Sequence, residues 1–276
     1  MRERTVRQVA KGVPASDGAG VKLTRVIGNA HVRAIDPFLM LDEFKSEDRA
    51  DYMAGFPMHP HRGFETVTYL LKGAFRHRDN QGNTGYLRPG SIQWMTAGRG
   101  IVHEEMPDQD DGPVWGFQLW VNLPSSEKMT APRYQDVEPE SVPVIETDSG
   151  EVRVLVGEFQ GVVGPVVDVV TDPLYLDVRL QKTGSEQVIA ISGCKQGFVY
   201  LYQGSASIGK QRLEEGQLAI LGNGDQLTLR AESDDAQMLV VAGDPIQEPV
   251  AQYGPFVMNT HEEVEQAIRD FQDGRF

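Results

Sequence analysis

The chain has 276 residues, enough for one large core or two smaller ones, and its hydrophobic (40%) and charged (24%) fractions are ordinary for a soluble globular protein. Its net charge of −14 argues against a general nucleic-acid binder and against binding to an anionic membrane surface. With one cysteine, no secretory signal and no apolar stretch long enough to span a bilayer, we expect a cytoplasmic protein without intrachain disulfides.

Short runs of β-branched, aromatic and aliphatic residues alternate with turn residues along most of the chain. The clearest predicted strands are residues 65–71, 91–95, 114–121 and 174–180. Glycine and proline are spread throughout rather than pooled in a linker. Many short strands with frequent turn signals predict an all-β protein built from sandwiches or barrels.

The same order of signals occurs in both halves of the chain: a strand, a glycine, a polar hairpin, a second glycine and another strand. It is found around residues 71–94 and again around residues 199–221. Between them, residues 124–143 are rich in proline, serine and glutamate, and strand signals lapse there. We therefore expect two similar β-barrels, residues 1–130 and residues 131–276.

The C-terminal tail differs in kind from the rest. Thr260 is followed three residues later by Glu263, the spacing of a capping box at a helix N-terminus. Apolar residues then recur at helical spacing, at Val264, Ala267, Ile268 and Phe271. The pattern predicts a short C-terminal helix packed on a barrel.

Two pairs of candidate metal ligands lie in the first half: His59 with His61, and His103 with Glu105. The members of each pair are two residues apart, and on an extended strand such residues point to the same side. If the two strands lie side by side, three imidazoles and a carboxylate converge. That donor set suits a borderline divalent transition metal and leaves positions free for substrate or oxygen.

The other histidines are interpreted differently. His31 and His261 are isolated and read as ordinary polar or surface residues, and His77, between two arginines, as part of a solvated hairpin arm. None of the six histidines lies between Glu104 and Thr260. In a two-barrel protein, only the first barrel can therefore carry an imidazole-based metal site.

Spacing alone leaves the carboxylate ligand open. Glu105 shares a strand face with His103, whereas Glu104 points away if the strand is regular. Glu65 is four residues after His61 and is also in register with it. Both Glu65 and Glu105 remain candidates on this ground.

Several long motifs resemble the pirin family of the cupin superfamily. The two most specific are residues 59–70 (HPHRGFETVTYL) and residues 93–107 (QWMTAGRGIVHEEMP). The resemblance continues in residues 36–42 (DPFLMLD), 116–124 (GFQLWVNLP) and 254–260 (GPFVMNT), so it covers nearly the whole chain.

The resemblance implies an all-β bicupin, with two antiparallel β-barrels of jelly-roll type packed together and a metal in the N-terminal barrel only. It implies His59, His61, His103 and Glu105 as the ligands, and so favours Glu105 over Glu65. It implies one Fe(II) per chain, with other divalent transition metals as substitutes.

The resemblance also implies a quercetinase-type dioxygenase that cleaves a flavonol such as quercetin with dioxygen and releases carbon monoxide. Glu105 would then be a catalytic base as well as a ligand. The alternative is an iron-dependent redox-sensing regulator whose partner is a transcription factor or a metabolic enzyme. Neither reading implies direct binding to nucleic acid or to a membrane.

Overall fold

The computed structural model describes residues 1–109 and 111–276. The strands of the first half are β1 (Val6–Lys11), β2 (Val13–Asp17), β3 (Val21–Ile27), β4 (Phe38–Ser46), β5 (Phe56–His61), β6 (Phe64–Lys72), β7 (Phe75–Asp79), β8 (Thr84–Leu87), β9 (Ile92–Thr96), β10 (Ile101–Pro107), β11 (Val114–Asn122), β12 (Arg133–Val137) and β13 (Val144–Thr147). Short 3-10 helices span Arg49–Asp51 and Pro139–Ser141.

The second half continues with β14 (Gly150–Val156), β15 (Glu158–Phe159), β16 (Val162–Val163), β17 (Leu174–Leu180), β18 (Glu186–Ala190), β19 (Gln196–Gln203), β20 (Ser205–Ile208), β21 (Gln211–Glu214), β22 (Gln217–Leu221), β23 (Gln226–Ala231), β24 (Ala236–Gly243), β25 (Ala251–Tyr253), β26 (Phe256–Met258) and the helix α1 (His261–Gln272). The four strands predicted most clearly are β6, β9, β11 and β17.

The chain packs into two compact units, each named after the half of the chain that supplies most of it. Unit N comprises Val13–Gly28, Phe38–Pro139 and Ile246–Phe276. Unit C comprises Met1–Gly12, Asn29–Pro37 and Glu140–Pro245. The units are thus interleaved in sequence, and the consecutive division into residues 1–130 and 131–276 stays a prediction.

Unit N contains a seven-stranded antiparallel sheet in the order β12-β9-β6-β11-β4-β3-β2 and a four-stranded sheet in the order β5-β10-β7-β8. Apolar side chains from both sheets form a shared core. Phe44 and Leu70 from the larger sheet meet Phe75 and Leu87 from the smaller one. The result is jelly-roll-like rather than a closed barrel.

Unit C repeats this topology. Its sheets run β1-β22-β19-β24-β17-β14-β13 and β18-β23-β20-β21. The hairpin series β19 to β22 occupies the same places in unit C as the series β6 to β9 in unit N. This equivalence confirms the internal repeat that the sequence predicted.

The expected lapse of strands between residues 124 and 143 was wrong. β12 forms there and pairs with β9, with Tyr134 opposite Met95. The strand is short and polar and lies at the sheet edge, which is how natural edge strands avoid further pairing. Its composition therefore resembles that of a loop.

The C-terminal helix is confirmed. The hydroxyl of Thr260 accepts a hydrogen bond from the Glu263 backbone at 3.2 Å, and the Glu263 carboxylate accepts one from the Thr260 backbone at 3.0 Å. Val264 and Ala267 are buried, whereas Phe271 is 38% exposed. Within the described ranges, the protein has no helix with the length and apolarity needed to cross a membrane.

Candidate metal centre

Two tight turns bring the histidine motifs together. The Gly63 backbone donates to the Gly98 carbonyl at 2.8 Å, and the Arg62 guanidinium donates to the Arg99 carbonyl at 2.5 Å. Gly63 has a φ of 88°, and a Cβ there would lie 2.0 Å from the Val257 carbonyl oxygen. Only glycine fits this position, which explains the HRG sequence between β5 and β6.

Three imidazoles converge where β5 pairs with β10. His103 lies directly opposite His59 in the antiparallel ladder. The ring centroids are 4.5 Å apart for His59 and His103, 5.0 Å for His61 and His103, and 4.6 Å for His59 and His61. One nitrogen from each ring lies within 4.8 Å of the others, so the triad that the sequence predicted is formed.

The nitrogens of this triad could bind a cation. His61 and His103 are buried, and neither ring has a hydrogen-bond partner for its Nδ1 or Nε2 atom among the described residues. Burial lowers the pKa of both rings, and the neighbouring His59 lowers it further, so their lone pairs are available. The His59 Nδ1 donates to the Pro57 carbonyl at 2.9 Å, which leaves Nε2 as its acceptor atom.

Glu105 lies beside the triad rather than inside the 4.8 Å cluster. Its carboxylate is 6% exposed and accepts a hydrogen bond from the Thr68 hydroxyl at 3.0 Å. Thr68 is on β6, so this bond links the two sheets of unit N. Glu105 also lines the cavity that contains His59 and His61.

The two other candidate carboxylates face elsewhere. Glu104 lies between His103 and Glu105 on β10, so its side chain points to the opposite face of the strand. There its carboxylate pairs with Arg78 at 2.5 Å. Glu65 is three residues from Thr68 and so points to the opposite face of the sheet. There it accepts a hydrogen bond from Thr96 at 2.7 Å, and burial raises its pKa.

His77 corrects one expectation. It is only 1% exposed, stacks on Tyr134 with ring centroids 5.1 Å apart, and lies 3.3 Å from the Asp136 carboxylate. It is the cross-strand partner of Glu105, so both side chains face the interior of unit N. The flanking Arg76 and Arg78 are exposed, so side chains along β7 alternate between solvent and interior. The sequence shows only a run of polar residues there, which is why it predicted a solvated arm.

A cavity of about 620 Å³ is lined by two members of the triad, His59 and His61. Large apolar side chains form much of its wall: Leu23, Met40, Phe44, Phe56, Phe75 and Trp120. Its polar wall, which no sequence motif indicated, contains Thr68, Gln118, Asp42, Arg25 and Asp17. The sequence alone held no signal for them, because which polar residues share this wall depends on the register of the strands.

Two family profiles match the chain. The family described as Pirin matches residues 20–121, and the Pirin C-terminal cupin domain matches residues 175–276. A Pseudomonas aeruginosa protein, provisionally named a quercetin 2,3-dioxygenase, is 49% identical over 99% of this chain and 98% of its own length. Human pirin is 44% identical over 94% of this chain and 89% of its own length.

Solved structures agree with this. A crystal structure of quercetin 2,3-dioxygenase from Acinetobacter baumannii superposes with a TM-score of 0.91. The two chains are 33% identical, and the match covers 99% of this chain and 98% of the Acinetobacter chain.

Proposed function

The chain belongs to the pirin family of bicupin proteins, and we propose that it is an Fe(II)-dependent dioxygenase that opens the central ring of a flavonol such as quercetin. The observation that carries this proposal is the convergence of three imidazoles beside a largely apolar cavity, two of which, His61 and His103, are buried with unpartnered nitrogens. Buried polar atoms without partners are costly, so their convergence indicates a ligand that they bind.

The donor set fits a first-row transition metal. Neutral imidazoles with one carboxylate suit Fe(II), and Mn, Co, Ni or Cu can take similar donors. His59, His61 and His103 would hold the ion, and Glu105 would be the fourth ligand. Support for Glu105 comes from its place beside the triad and from the other partners of Glu65 and Glu104, which are Thr96 and Arg78.

When bound, the metal would lower the pKa of a coordinated flavonol hydroxyl and provide the site for reaction with dioxygen. The carboxylate of Glu105 is the base on this wall of the cavity that can take the hydroxyl proton. Thr68 holds one oxygen of that carboxylate. Apolar side chains such as Phe44 and Trp120 keep bulk water from the reacting ring.

The proposed reaction balances without an external reductant. Two carbon–carbon bonds of the central ring break, and the carbon between them leaves as carbon monoxide with its own hydroxyl oxygen. Both atoms of dioxygen enter the remaining product, one as an ester carbonyl oxygen and one in a carboxylate. The substrate carbons supply all the electrons that reduce dioxygen.

The direct assay is optical. Protein loaded with Fe(II) without oxygen, then given quercetin and air, should bleach the flavonol absorbance. His103→Ala should abolish bleaching, whereas His31→Ala, an exposed histidine outside the triad, should leave it unchanged. Absence of turnover with the metal site full would overturn the proposal. The redox-sensing alternative would then be tested by co-purification of a protein partner that depends on the iron oxidation state.

A further inference from the structure

In the seven-stranded sheet of unit N, one row of cross-strand neighbours consists of polar residues on six adjacent strands. Its members are direct cross-strand partners in successive pairs, so their side chains share one face of the sheet. We call this set the polar rung; from β3 to β12 it consists of Arg25, Asp42, Gln118, Thr68, Gln93 and Asp136.

The rungs on either side are mainly apolar. Two residues away on the same face, the row in one direction contains Leu23, Phe44, Gly116 and Leu70, and the row in the other contains Met40, Trp120 and Met95, with Thr66 as its one buried polar member among these strands. Asp42, Thr68 and Gln93 are nevertheless buried. Burial of polar groups carries a free-energy cost that an apolar rung would avoid, so packing alone does not explain this row.

The polar rung passes the candidate metal centre at Thr68, and its part from Thr68 to Arg25 runs along the cavity wall. Thr68 bonds Glu105 at 3.0 Å and Gln118 at 2.6 Å. Gln118, Asp42 and Arg25 follow along the same wall. Asp42 is two strands from Thr68, which places it roughly 10 Å away at the usual strand spacing. That distance leaves room for the pendant ring of a flavonol whose central-ring hydroxyl is at the metal.

Asp42 is a fixed hydrogen-bond acceptor at this remote end. The Arg25 guanidinium donates to its two carboxylate oxygens at 2.9 and 2.7 Å and also binds Asp17 at 2.7 Å. Each carboxylate oxygen can accept from a second donor as well. A ligand hydroxyl in the cavity is a donor of the right kind.

The charge of the cavity wall favours the same ligand chemistry. At the remote end of the cavity, the two carboxylates of Asp17 and Asp42 share the guanidinium of Arg25, whereas Glu105 lies beside the triad, where the proposed metal would offset its charge. An excess of carboxylates repels an anionic ligand group and favours a neutral hydroxyl that donates. The cavity is therefore suited to a phenol at its remote end and not to a carboxylic acid.

We propose that Asp42, held in place by Arg25, determines specificity by accepting a hydrogen bond from a hydroxyl on the substrate ring remote from the metal. This inference rests on the proposed function and deepens it. The substrate class becomes flat, neutral polyphenols with a hydroxyl on the pendant ring.

The test uses three flavonols that share the metal-binding hydroxyl and differ on the pendant ring: quercetin with two hydroxyls, kaempferol with one and galangin with none. Their binding to the full chain is measured without oxygen by quenching of tryptophan fluorescence, since Trp120 lines the cavity. Wild type should bind quercetin about 10- to 100-fold more tightly than galangin, the range for a hydrogen bond to a charged acceptor. Asp42→Asn should reduce this ratio to within about 3-fold.

Asp136→Asn is the matched control, because Asp136 belongs to the polar rung but does not line the cavity. It should keep the wild-type ratio. Equal binding of quercetin and galangin by wild type would overturn the inference even if Asp42→Asn failed to fold. So would an unchanged ratio in a folded Asp42→Asn variant. In either case continued bleaching of quercetin would leave the proposed function standing, whereas absence of both binding and bleaching would overturn both.

Discussion

The Thr68 hydroxyl lies 3.0 Å from Oε1 of Glu105 and joins the metal-site strand β10 to β6 of the larger sheet. The same hydroxyl lies 2.6 Å from the Gln118 side chain. A hydroxyl donates only one hydrogen bond, so donation to Glu105 requires Gln118 to turn its amide nitrogen toward Thr68. Thr68 thereby orients the carboxylate beside the triad.

Replacement of Thr68 by valine should weaken metal binding. Valine keeps the shape of the side chain but removes the donor to Glu105, and loss of such outer partners typically lowers metal affinity about 10- to 100-fold. Chelator competition measures the affinity. Thr68→Ser retains the hydroxyl and should stay near wild type, and an equal loss in both variants would contradict the orienting role.

If Glu105 rather than Glu65 is the carboxylate ligand, substitutions at these two residues should differ in their effect on Fe(II) retention. Glu105→Gln should reduce Fe(II) retention by at least about 10- to 100-fold, since loss of a ligand costs no less than loss of an outer partner. Glu65→Gln should leave it unchanged, because Glu65 bonds Thr96 on the opposite face of the sheet. Metal content after gel filtration distinguishes the two, and the reverse order would remove Glu105 from the ligand set.

The buried side chain of Lys128 should contribute to the stability of unit N. It is 2% exposed, and its ammonium donates to the Gly63 carbonyl, the Asn122 side chain and the Val257 carbonyl at 2.8, 2.8 and 3.0 Å. Burial lowers its pKa to about 8, so it is still charged at neutral pH. It holds the turn between His61 and β6.

Lys128→Met fills the same space but leaves three acceptors without a donor. The free energy of unfolding should fall by about 3 kcal/mol or more in a denaturant titration. Lys210→Met, at an exposed hairpin turn, is the matched control and should change stability by less than about 0.5 kcal/mol. Similar values for the two variants would show that the buried ammonium is dispensable.

The ion pair between Asp270 and Arg62 predicts a pH dependence. Asp270 on α1 accepts from Arg62 at 2.7 Å and from Gln266, and Arg275 lies 2.9 Å away. These contacts, Arg62 first, lower the pKa of Asp270. A lowered folded-state pKa stabilises the protein above the unfolded value near 4, and the effect is lost as the pH falls through the folded value.

Asp270→Asn should therefore lower the Tm at neutral pH, and the gap from wild type should narrow as the pH falls below the unfolded value near 4. Asp273→Asn, an exposed residue at the end of the same helix, should show a smaller gap throughout. Thermal unfolding at several pH values is the measurement. A gap for Asp270→Asn that is constant with pH would exclude the ion pair as its source.

The sequence predicted those features that depend on local pattern. Alternation and turn residues marked β6, β9, β11 and β17, and the capping box marked α1. The spacing of His59 with His61 anticipated the triad, because strand parity fixes which side chains share a face. It could not decide between Glu65 and Glu105, since that depends on which face of each sheet encloses the cavity.

Features that depend on which strands pair, and in what register, could not be predicted from the sequence. The polar rung joins six residues that are far apart in sequence, and it is visible only once the register of six strands is known. β12 has the composition of a loop, and His77 is buried only because β7 pairs with β10. In each case a long-range pairing decides the environment of the residue.

The measurement that tests the central claim most directly is oxygen labelling. Fe(II)-loaded protein is given quercetin under 18O2, with His103→Ala at equal total iron as the control, and the products are analysed by mass spectrometry. The proposed reaction predicts an ester acid that carries two 18O atoms, unlabelled carbon monoxide, and neither product from His103→Ala. A metal-loaded protein that yields no ester acid, or a product without both labels, would contradict the account.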